Sequence, residues 1–462
     1  MMLRLLFCAC FFLFTATIAD GAELTPVGVA KVDITPDGPV HLVNELAPEN
    51  SAGISQRLHA RAIAIGEDPP VVLIGFDGIG VPEAVATRVA SQLETSLGIP
   101  RAHIAISASH THWAPHLSGL LPGIFGGTMP KEHTEEITRY TEALVQNLEK
   151  AAVEAIKRRL PSQLSWATGA VEFAANRRLE EGGELLVDEE EGVMITSNPG
   201  GPVDHSLPIL TVHDPEGKLR ALHFTYACHN VAITGREFSG FRNRIHGDWV
   251  GLTQEMIETR HPDCIALCTI GCGGDQRPVT CGGIEVATKH ASEIADEIDS
   301  LLGNAGSWHS FSGPAHTNHR IVPLPLEPPP SGETLQEFVT NPKSRSAIAR
   351  SMVARRLLEG ETARDSVPFQ VQSWRFENGP AFLFLSGEVC IDYQLRIKRE
   401  LGENVWPVAY TNSTPCYIVS KRMLAKGGYE AGNSMFYYGW LRSLKPETEE
   451  IVMEAVRNTL RQ

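Results

Sequence analysis

The sequence predicts an α/β protein: one large catalytic domain in which mixed β-sheets are flanked by helices. Of its 462 residues, 42% are hydrophobic and 21% are charged, a balance that excludes a disordered chain, a collagen-like repeat or a disulfide-dense mini-scaffold. The run VVLIGFDGIG from Val71 shows no polar alternation, which is typical of a strand covered on both faces. Such strands alternate with amphipathic helical patterns along the chain.

The first clear unit is a strand, a helix and a second strand. The strand that begins at Val71 precedes a helical pattern over residues 82–97 and a further apolar strand over residues 103–107. A long amphipathic helix over about residues 135–159 follows.

Two hairpins and a second set of alternating elements fill the rest of the chain. Each hairpin is predicted from two apolar runs that flank a turn sequence, Asp-Pro-Glu-Gly at 214–217 and Glu-Asn-Gly-Pro at 377–380. The other predicted elements are a helix at 248–259, a strand from Cys264 into the glycine-rich residues 271–274, a helix after Gly387 and a strand at 405–410. The Pro-rich residues 323–330 are the best linker candidate, but similar elements resume after them, which favours one unit.

The net charge argues against one class of partner. With 40 Lys and Arg against 55 Asp and Glu, the formal charge is −15, and the isoelectric point is about 5.6. A surface this acidic repels polyphosphate, so nucleic-acid binding is not expected. Solubility is the simpler explanation for the charge.

The N-terminus has the pattern of an export signal. Arg4 precedes the almost entirely apolar residues Leu5 to Ala19, and small residues follow at Gly21 and Ala22. A membrane anchor is the alternative, but the run is short against the ~20 residues that a bilayer needs. We expect residues 1–22 to be a cleaved signal peptide and residues 23–462 to form a secreted or periplasmic protein.

The cysteines do not form a familiar metal motif. Two of the nine, Cys8 and Cys10, would leave with the signal peptide, so seven remain and cannot all pair with one another. Four of the seven crowd one segment without the C-x₂-C spacing of structural zinc: Cys264, Cys268, Cys272 and Cys281. Buried thiols, or one or two disulfides, are expected instead.

Three groups that can bind metal follow apolar strands. His110 and His112 come just after the strand that ends near Ser107, and imidazoles two residues apart in an extended segment point to one side. His229 and Glu388 each follow another apolar strand, and two nitrogens with one oxygen match hydrolytic zinc sites. Each group also has a simpler explanation. His110 and His112 can be a chance pair, His229 can be a hydrogen-bonded core histidine, and Glu388 can be an acid at a helix N-terminus.

Other polar or aromatic residues are weaker candidates alone. Arg177 offers guanidinium donors after a strand, and residues 274–278 form a tight loop that could approach a substrate. Tyr417 and Tyr429 stand twelve residues apart, a spacing for which core packing is the default explanation.

Short blocks that contain these residues resemble the neutral/alkaline ceramidase family. The blocks lie in family order between Val27 and Gly432 and comprise VGVAKVDITP at 27–36, SASHTHWAP at 107–115, Asn176-Arg177, Ala227-Cys228-His229, Gly387-Glu388 and Tyr417 with Tyr429-Glu430. Each block is short, and their order and spacing together make the resemblance specific.

The resemblance implies a zinc hydrolase of an N-acyl amide bond, for which the family reaction splits ceramide into sphingosine and a fatty acid. It implies four zinc ligands, His110, His229, Glu388 and Tyr417. His112 falls on the second active-site histidine, and Arg177 and Tyr429 fall on residues that contact the reacting amide. The implied partner is a lipid or small-molecule substrate, with transient contact to a membrane surface.

The sequence departs from the family pattern at three places. Asp275 and Arg277 fall at the substrate entrance, and Arg277 replaces the family serine, which favours an acidic or polar substrate group. Lys426 stands where the family tends to have an aromatic residue, and little chain follows Tyr429, so the C-terminal immunoglobulin-like domain is expected to be absent. Zinc-dependent hydrolysis is therefore a firmer expectation than ceramide as the substrate.

Other functions remain open from the sequence. One is a catalytically silent binding protein with the same fold, and another is a metallohydrolase that acts on a non-lipid amide or ester. The H-x-H-x-D-H motif of metallo-β-lactamases is not matched, because Ala114 stands at its aspartate position. An amidohydrolase barrel needs a late catalytic aspartate, and Asp392, the nearest candidate, is in a helical context.

Overall fold

The computed structural model describes residues 23–43, 50–125, 129–181, 184–186, 195–234, 243–340 and 342–461. The predicted signal peptide lies outside these residues. The helices in the described ranges are α1 (Glu83–Leu97), α2 (Lys131–Lys157), α3 (Asp248–Arg260), α4 (Ile284–Leu302), α5 (Gly332–Val339), α6 (Arg345–Leu358), α7 (Ile391–Leu401), α8 (Lys421–Lys426), α9 (Ser434–Tyr437) and α10 (Thr448–Arg461).

The strands are distributed along the whole described chain. They are β1 (Thr25–Asp33), β2 (Gly53–Ile54), β3 (His59–Ile65), β4 (Val71–Phe76), β5 (Ile104–Ala108), β6 (Leu160–Ala170), β7 (Ala174–Arg178), β8 (Glu180–Glu181), β9 (Glu184–Leu185), β10 (Ile195–Asn198), β11 (Ser206–His213), β12 (Leu219–Tyr226), β13 (Arg244–Ile245), β14 (Ile265–Ile270), β15 (Gln276–Pro278), β16 (His309–Phe311), β17 (Ala315–Pro325), β18 (Ser366–Phe376), β19 (Ala381–Leu385), β20 (Glu388–Val389), β21 (Val405–Val408) and β22 (Tyr417–Ile418).

A large mixed sheet forms the centre of the molecule. Its strand order is β14-β12-β11-β6-β1-β3-β4-β5, with β16 paired to β6. The sheet curves so that β14 at one end contacts β4 and β5 at the other. Gly75 allows this approach, since a Cβ atom there would lie 3.1 Å from the Leu267 side chain. The curvature brings the ends of distant strands together.

A second sheet, ordered β17-β18-β19-β21, packs against one face of the first. The core between them contains Ile63 and Leu73 from the large sheet and Trp374, Phe384 and Trp406 from the small one. Residues that alternate with the first two along their strands, such as Ala62 and Ile74, join the core on the helical side. Helix α2 covers β1, β3 and β4, and α10 covers β17 and β18. The predicted α/β class, with mixed sheets flanked by helices, is confirmed.

Helix α1 and the two hairpins lie where the sequence predicts them. Helix α1 starts after Pro82 and ends at Leu97, and the next residue, Gly98, has a φ of 68°, the left-handed conformation that terminates helices. Both predicted hairpins form antiparallel pairs, β11 with β12 and β18 with β19. The ends of these strands could be predicted because their turn sequences cannot continue a strand.

Two local predictions were wrong, and the linker candidate is partly a strand. Residues 323–325 belong to β17 and pair with β18, because an edge strand tolerates proline. Arg177 lies inside β7 rather than after a strand. The expected loop at 274–278 contains β15, which pairs with β7. Strands β7 and β15 are short, and hydrophobic periodicity gives little signal over so few residues.

The cysteines of the described chain form no disulfide bonds. All seven are free, and only Cys281 is not buried. Of the two alternatives that the sequence left open, buried thiols or disulfides, buried thiols are therefore observed.

Among the helices of the described ranges, none combines the length and the apolar character needed to cross a bilayer.

A buried ion pair ties α7 to the segment before β11 and predicts a pH-dependent stability. Burial opposes ionisation of Asp204, but the Lys398 ammonium, 2.6 Å away, and hydrogen bonds from Gln394 and Ser206 hold the Asp204 pKa below its usual value. A lowered pKa stabilises the fold above the unfolded-state value of about 3.9, and this stabilisation is lost as pH falls.

Replacement of Lys398 with Met should therefore lower the free energy of unfolding by about 3–5 kcal/mol at pH 7, since Asp204 would remain charged and unpaired. The loss should shrink toward pH 4 as Asp204 takes a proton. Urea unfolding of the variant and the unmodified protein at pH 7 and pH 4 measures this loss of unfolding free energy. Lys218→Met, which breaks an exposed pair with Asp263, should change stability by no more than about 0.5 kcal/mol. An equal loss at both pH values would contradict the electrostatic explanation.

Candidate metal centre

Polar side chains from several strand ends meet at one point of the molecule. His110 follows β5, His229 follows β12, and Glu388 follows β19 and forms β20 with Val389. Tyr417 is paired with Glu388 in the β20–β22 ladder. The curved large sheet and the end of the small sheet thus bring together residues that are up to 307 positions apart (417 − 110).

His110 is held with one ring nitrogen toward the cluster. Its Nδ1 is 2.6 Å from the carbonyl oxygen of Ile79, while its buried Nε2 has no hydrogen-bond partner. His110 has a φ of 59°, so the expected extended H-x-H segment was wrong in conformation. Strained residues of this kind persist where surrounding contacts hold them, and they concentrate at functional sites.

His229 is oriented in the same way from the opposite side. Its Nδ1 lies 2.6 Å from the carbonyl oxygen of Gly273, and Trp249 Nε1 donates to its backbone carbonyl at 2.9 Å. The Nε2 lone pair faces the cluster and accepts a hydrogen bond of 2.9 Å from Arg177 Nη1. The ring is therefore neutral, and its Nε2 lone pair is directed inward.

Glu388 lies between the two imidazoles. Its Oε2 is 3.3 Å from His110 Nε2 and 3.3 Å from His229 Nε2. Its Oε1 accepts a hydrogen bond from Tyr438, and Tyr410 approaches Oε2 at 3.4 Å. The preceding Gly387 has a φ of 82°, and a Cβ atom there would lie 2.8 Å from the Cys416 carbonyl oxygen, so this turn requires glycine.

Two tyrosines and an arginine border the imidazole–carboxylate cluster. The Tyr417 hydroxyl is 3.3 Å from His229 Nε2 and accepts a hydrogen bond of 3.0 Å from Arg177 Nη2. Tyr429 is half-buried, with its ring 5.7 Å from that of Tyr417 and 5.7 Å from the Arg177 guanidinium carbon. The hydroxyl of Tyr429 has no hydrogen bond among the described residues, so it can donate to a ligand.

A second layer fixes Arg177. Glu430 accepts from Arg177 Nε at 2.9 Å and from Arg178 Nη1 at 2.6 Å, and all three side chains are buried. Glu430 and Tyr429 belong to a π-helical turn, Tyr429–Asn433, a feature frequent at functional sites. The guanidinium of Arg177 is thereby held beside Tyr417 and Tyr429.

His112 stands at the half-exposed side of the cluster. Its ring centroid is 5.0 Å from that of His110 and 6.2 Å from that of His229, and its Nε2 has no hydrogen-bond partner. One ring nitrogen from each of the three histidines lies within 4.8 Å of the others. The geometry therefore permits His112 either as a ligand or as a neighbour of a bound ion.

Burial and neighbouring charges shift the pKa values of three groups in the cluster, His229, His112 and Glu388. Burial, with Arg177 and His110 nearby, lowers the pKa of His229 to about 3, and burial with the neighbouring histidines lowers the pKa of His112. Burial opposes ionisation of Glu388, but His110 and His229 outweigh it and lower the Glu388 pKa. At neutral pH His229 and His112 are therefore neutral, and Glu388 is ionised.

The two residues predicted at the substrate entrance have different surroundings. Asp275 is fully buried, and its carboxylate accepts from Ile391 N and from Asn176 Nδ2, each at 2.8 Å. It joins the strand of Arg177 to the segment after Glu388. Arg277 is half-exposed, and its Nη2 lies 3.0 Å from Cys281 Sγ. The entrance role of both residues stays a prediction.

Comparisons with known proteins identify the fold. No family model matches the sequence, and no curated protein sequence matches it. The crystal structure of neutral ceramidase from Pseudomonas aeruginosa superposes with a TM-score of 0.68 at 15% identity, covering 95% of this chain and 74% of that one. A ceramidase complexed with C2 has a TM-score of 0.68 at 16% identity, covering 95% and 75%. The chain has the neutral ceramidase fold. The resemblance seen in short motifs is thus confirmed at the level of the fold.

Within the neutral ceramidase fold, the cluster fits a metal ion by its own donor chemistry. His110 has a buried, unpartnered Nε2, and both His110 and His229 direct a lone pair toward Glu388. Imidazole nitrogens with a carboxylate oxygen suit zinc and several other divalent ions. A metal and Arg177 Nη1 would compete for the same lone pair on His229.

Sequence reasoning missed three residues of this part of the neutral ceramidase fold. Tyr410 and Tyr438 hold Glu388, and Glu430 holds Arg177. Glu430 was noticed only as part of a short motif. Nothing in the sequence pattern marks Tyr438, since it acts through a long-range contact across 50 positions.

Proposed function

We propose that the protein is a secreted or periplasmic zinc-dependent hydrolase that splits an N-acyl amide bond in a ceramide or related lipid. Residues 1–22 would be a cleaved signal peptide, and residues 23–462 one catalytic domain. The observation that carries the proposal is the approach of His110 Nε2 and His229 Nε2 to the same oxygen of Glu388, at 3.3 Å each, with Tyr417 adjacent. The fold shared with ceramidases supports the reaction class.

The proposed metal ligands are His110, His229, Glu388 and Tyr417. Zinc bound there would polarise the amide carbonyl and lower the pKa of water to about 7. The backbone carbonyls of Ile79 and Gly273 fix the orientation of the two imidazoles, as outer partners of metal-bound histidines usually do.

The remaining side chains have roles in the proton and charge transfers. His112, whose buried Nε2 has no hydrogen-bond partner, would take a proton from the attacking water and deliver it to the leaving nitrogen as the C–N bond breaks. With the His229 lone pair occupied by a metal ion, Arg177 Nη1 would be free to donate, together with Tyr429, to the developing oxyanion. Glu430 keeps Arg177 in place during both states.

Hydrolysis of a fluorogenic N-dodecanoyl amide by the full chain tests this proposal. We expect turnover that a zinc chelator removes and added Zn²⁺ restores, with N-acyl sphingoids, N-acyl amino acids and simple esters compared in parallel. Bound zinc without hydrolysis of any of them would favour the silent binding protein. Preference for a simple ester or a non-lipid amide would favour the other metallohydrolase.

Arg277 is proposed to select an acidic or polar group on the substrate. Its guanidinium is half-exposed, and its Nη2 lies 3.0 Å from Cys281 Sγ. Since a hydrogen bond to a charged group contributes ~1.5–3 kcal/mol, Arg277→Ser should shift the ratio of kcat/KM for ceramide over an N-acyl amino acid by roughly tenfold or more toward ceramide. Arg399→Ser, an exposed arginine on α7, is the control. An unchanged ratio would remove Arg277 from the substrate site.

A further inference from the structure

The first turn of α3 lies between the two segments that carry the clustered histidines. One is the H-x-H loop, residues 110–113, and the other is residues 229–233. We call residues 246–250 the α3 turn. The side chains that join the three segments are all buried, none more than 2% exposed: Thr111, Trp113, Asn230, His246, Asp248 and Trp249. Water therefore does not compete for the contacts that hold the two histidine segments together.

The α3 turn binds the H-x-H loop through the backbone of His246. Thr111 Oγ1 donates to the His246 carbonyl oxygen at 2.8 Å, and His246 N donates to the Trp113 carbonyl oxygen at 3.1 Å. Thr111 Oγ1 also accepts from Trp113 N at 3.2 Å. Because Thr111 lies between His110 and His112, a displacement of His246 would move the backbone of both histidines.

The same turn binds the second segment on its other side. Asn230 Nδ2 donates to the Gly247 carbonyl oxygen at 2.9 Å, and Asn230 Oδ1 accepts from Val250 N at 3.2 Å. Trp249 Nε1 donates to the His229 carbonyl oxygen at 2.9 Å. The position of His229 is thus tied to the α3 turn at its own backbone and at the next residue.

The Asp248 carboxylate completes these contacts. It accepts from Ala232 N and Ile233 N at 3.0 Å each, and from Trp249 N at 2.7 Å. Within the described ranges it has no ion pair with a Lys, Arg or His side chain, and burial raises the Asp248 pKa to about 6 although the three backbone donors oppose this shift. A buried carboxylate without a cationic partner is costly, and groups with perturbed pKa values concentrate at functional sites.

The backbone of Asp248 is also unusual. Its φ is 55°, the left-handed conformation, which Asp and Asn tolerate better than most residues. His110 in the H-x-H loop has the same kind of backbone, with a φ of 59°. Residues in this conformation persist where surrounding contacts hold them. Asn at position 248 would keep the backbone tolerance, so Asp248→Asn tests the carboxylate alone.

We propose that Asp248 is a positioning residue that fixes the H-x-H loop against residues 229–233 through the α3 turn. It thereby sets the separation of His110 and His229, whose ring centroids are 4.5 Å apart. The inference rests on the proposed function in one respect, since these two imidazoles are the proposed zinc ligands. Partners outside a metal's own ligands usually change its affinity by roughly 10–100-fold.

Calorimetric titration of the metal-free full chain with Zn²⁺ tests the proposal. In Asp248→Asn the dissociation constant should rise by roughly tenfold or more, because an amide nitrogen cannot accept from a backbone N–H. Thr111→Val keeps the side-chain shape and should raise the constant similarly. The double variant should lose less than the product of the two single effects, since both act through one turn. Circular dichroism verifies folding, and Thr111→Val carries the test if Asp248→Asn does not fold.

Glu258→Gln is the control for general destabilisation. Glu258 lies toward the other end of α3, and its carboxylate accepts from Lys31 Nζ, Arg61 Nε and Ala266 N. The variant should lower the free energy of unfolding in urea and leave the Zn²⁺ dissociation constant unchanged. An equal rise of that constant in Glu258→Gln, or no rise in either Asp248→Asn or Thr111→Val, would overturn the proposal.

Amide hydrogen exchange of the metal-free chain separates this proposal from the proposed function. Asp248→Asn should speed exchange in the H-x-H loop as well as in residues 229–233, measured by mass spectrometry of peptides. Faster exchange confined to residues 229–233 would contradict a role in holding both segments. An unmodified protein that binds no Zn²⁺ would refute the proposed function, and the exchange result would then decide the positioning role.

Discussion

Replacement of His229 with Ala is expected to abolish both zinc binding and turnover, while the protein remains folded. The change removes one of two imidazole lone pairs that converge on Glu388, and it leaves Glu388 and Tyr417 without their shared neighbour. His110→Ala should act in the same way. Zinc per chain, measured by plasma mass spectrometry after dialysis, should fall from one to zero in either variant.

The control for this experiment is a buried histidine on β12, the strand that precedes His229. His223 lies on β12, is 1% exposed, and its Nε2 is 2.9 Å from Thr269 Oγ1, away from the cluster. His223→Ala should keep one zinc per chain even if it lowers thermal stability. Full zinc occupancy in the double variant His110→Ala/His229→Ala would refute the ligand assignment.

The second large effect is expected from Tyr429→Phe. The variant keeps the ring that packs near Tyr417 and removes only a hydroxyl that has no partner among the described residues. If this hydroxyl donates to the oxyanion, kcat should fall by ~10²–10³ with zinc content and KM little changed, as when one oxyanion donor is lost elsewhere.

Tyr140→Phe provides the matched comparison for Tyr429→Phe. Its hydroxyl donates to the Ile34 carbonyl oxygen at 3.0 Å, on α2 and far along the chain from the cluster. The kcat of Tyr140→Phe should equal that of the unmodified protein. A kcat of Tyr429→Phe at the same level would show that Tyr429 only packs beside the site.

The sequence predicts well what depends on local pattern. Helix α1, the two hairpins and the apolar strands β4, β5 and β14 follow from periodicity and turn residues, because these features act over a few positions. The strand ends that present His110, His229 and Glu388 follow from the same patterns. Their meeting in space does not, because it depends on contacts between strands far apart in the chain, such as β14 with β4 and β5.

The remaining errors have a common cause in tertiary contacts. Residues 323–325 form a strand only because β18 offers an edge, and Arg177 lies in a strand only because β15 and β10 flank β7. The partners of Glu388 and Arg177, namely Tyr438 and Glu430, are contributed by segments 50 and 253 positions away. Local composition carries no information about such pairs.

Anomalous diffraction from crystals of the zinc-loaded protein, at the zinc absorption edge, would locate the metal ion. We predict a single strong peak per chain bonded to His110 Nε2, His229 Nε2, Glu388 and Tyr417, with His112 beside it but not coordinated. Nitrogen ligands should lie at about 2.0–2.1 Å from the peak. A peak at another place, or one ligated by His112 in place of Glu388 or Tyr417, would contradict this set of four ligands.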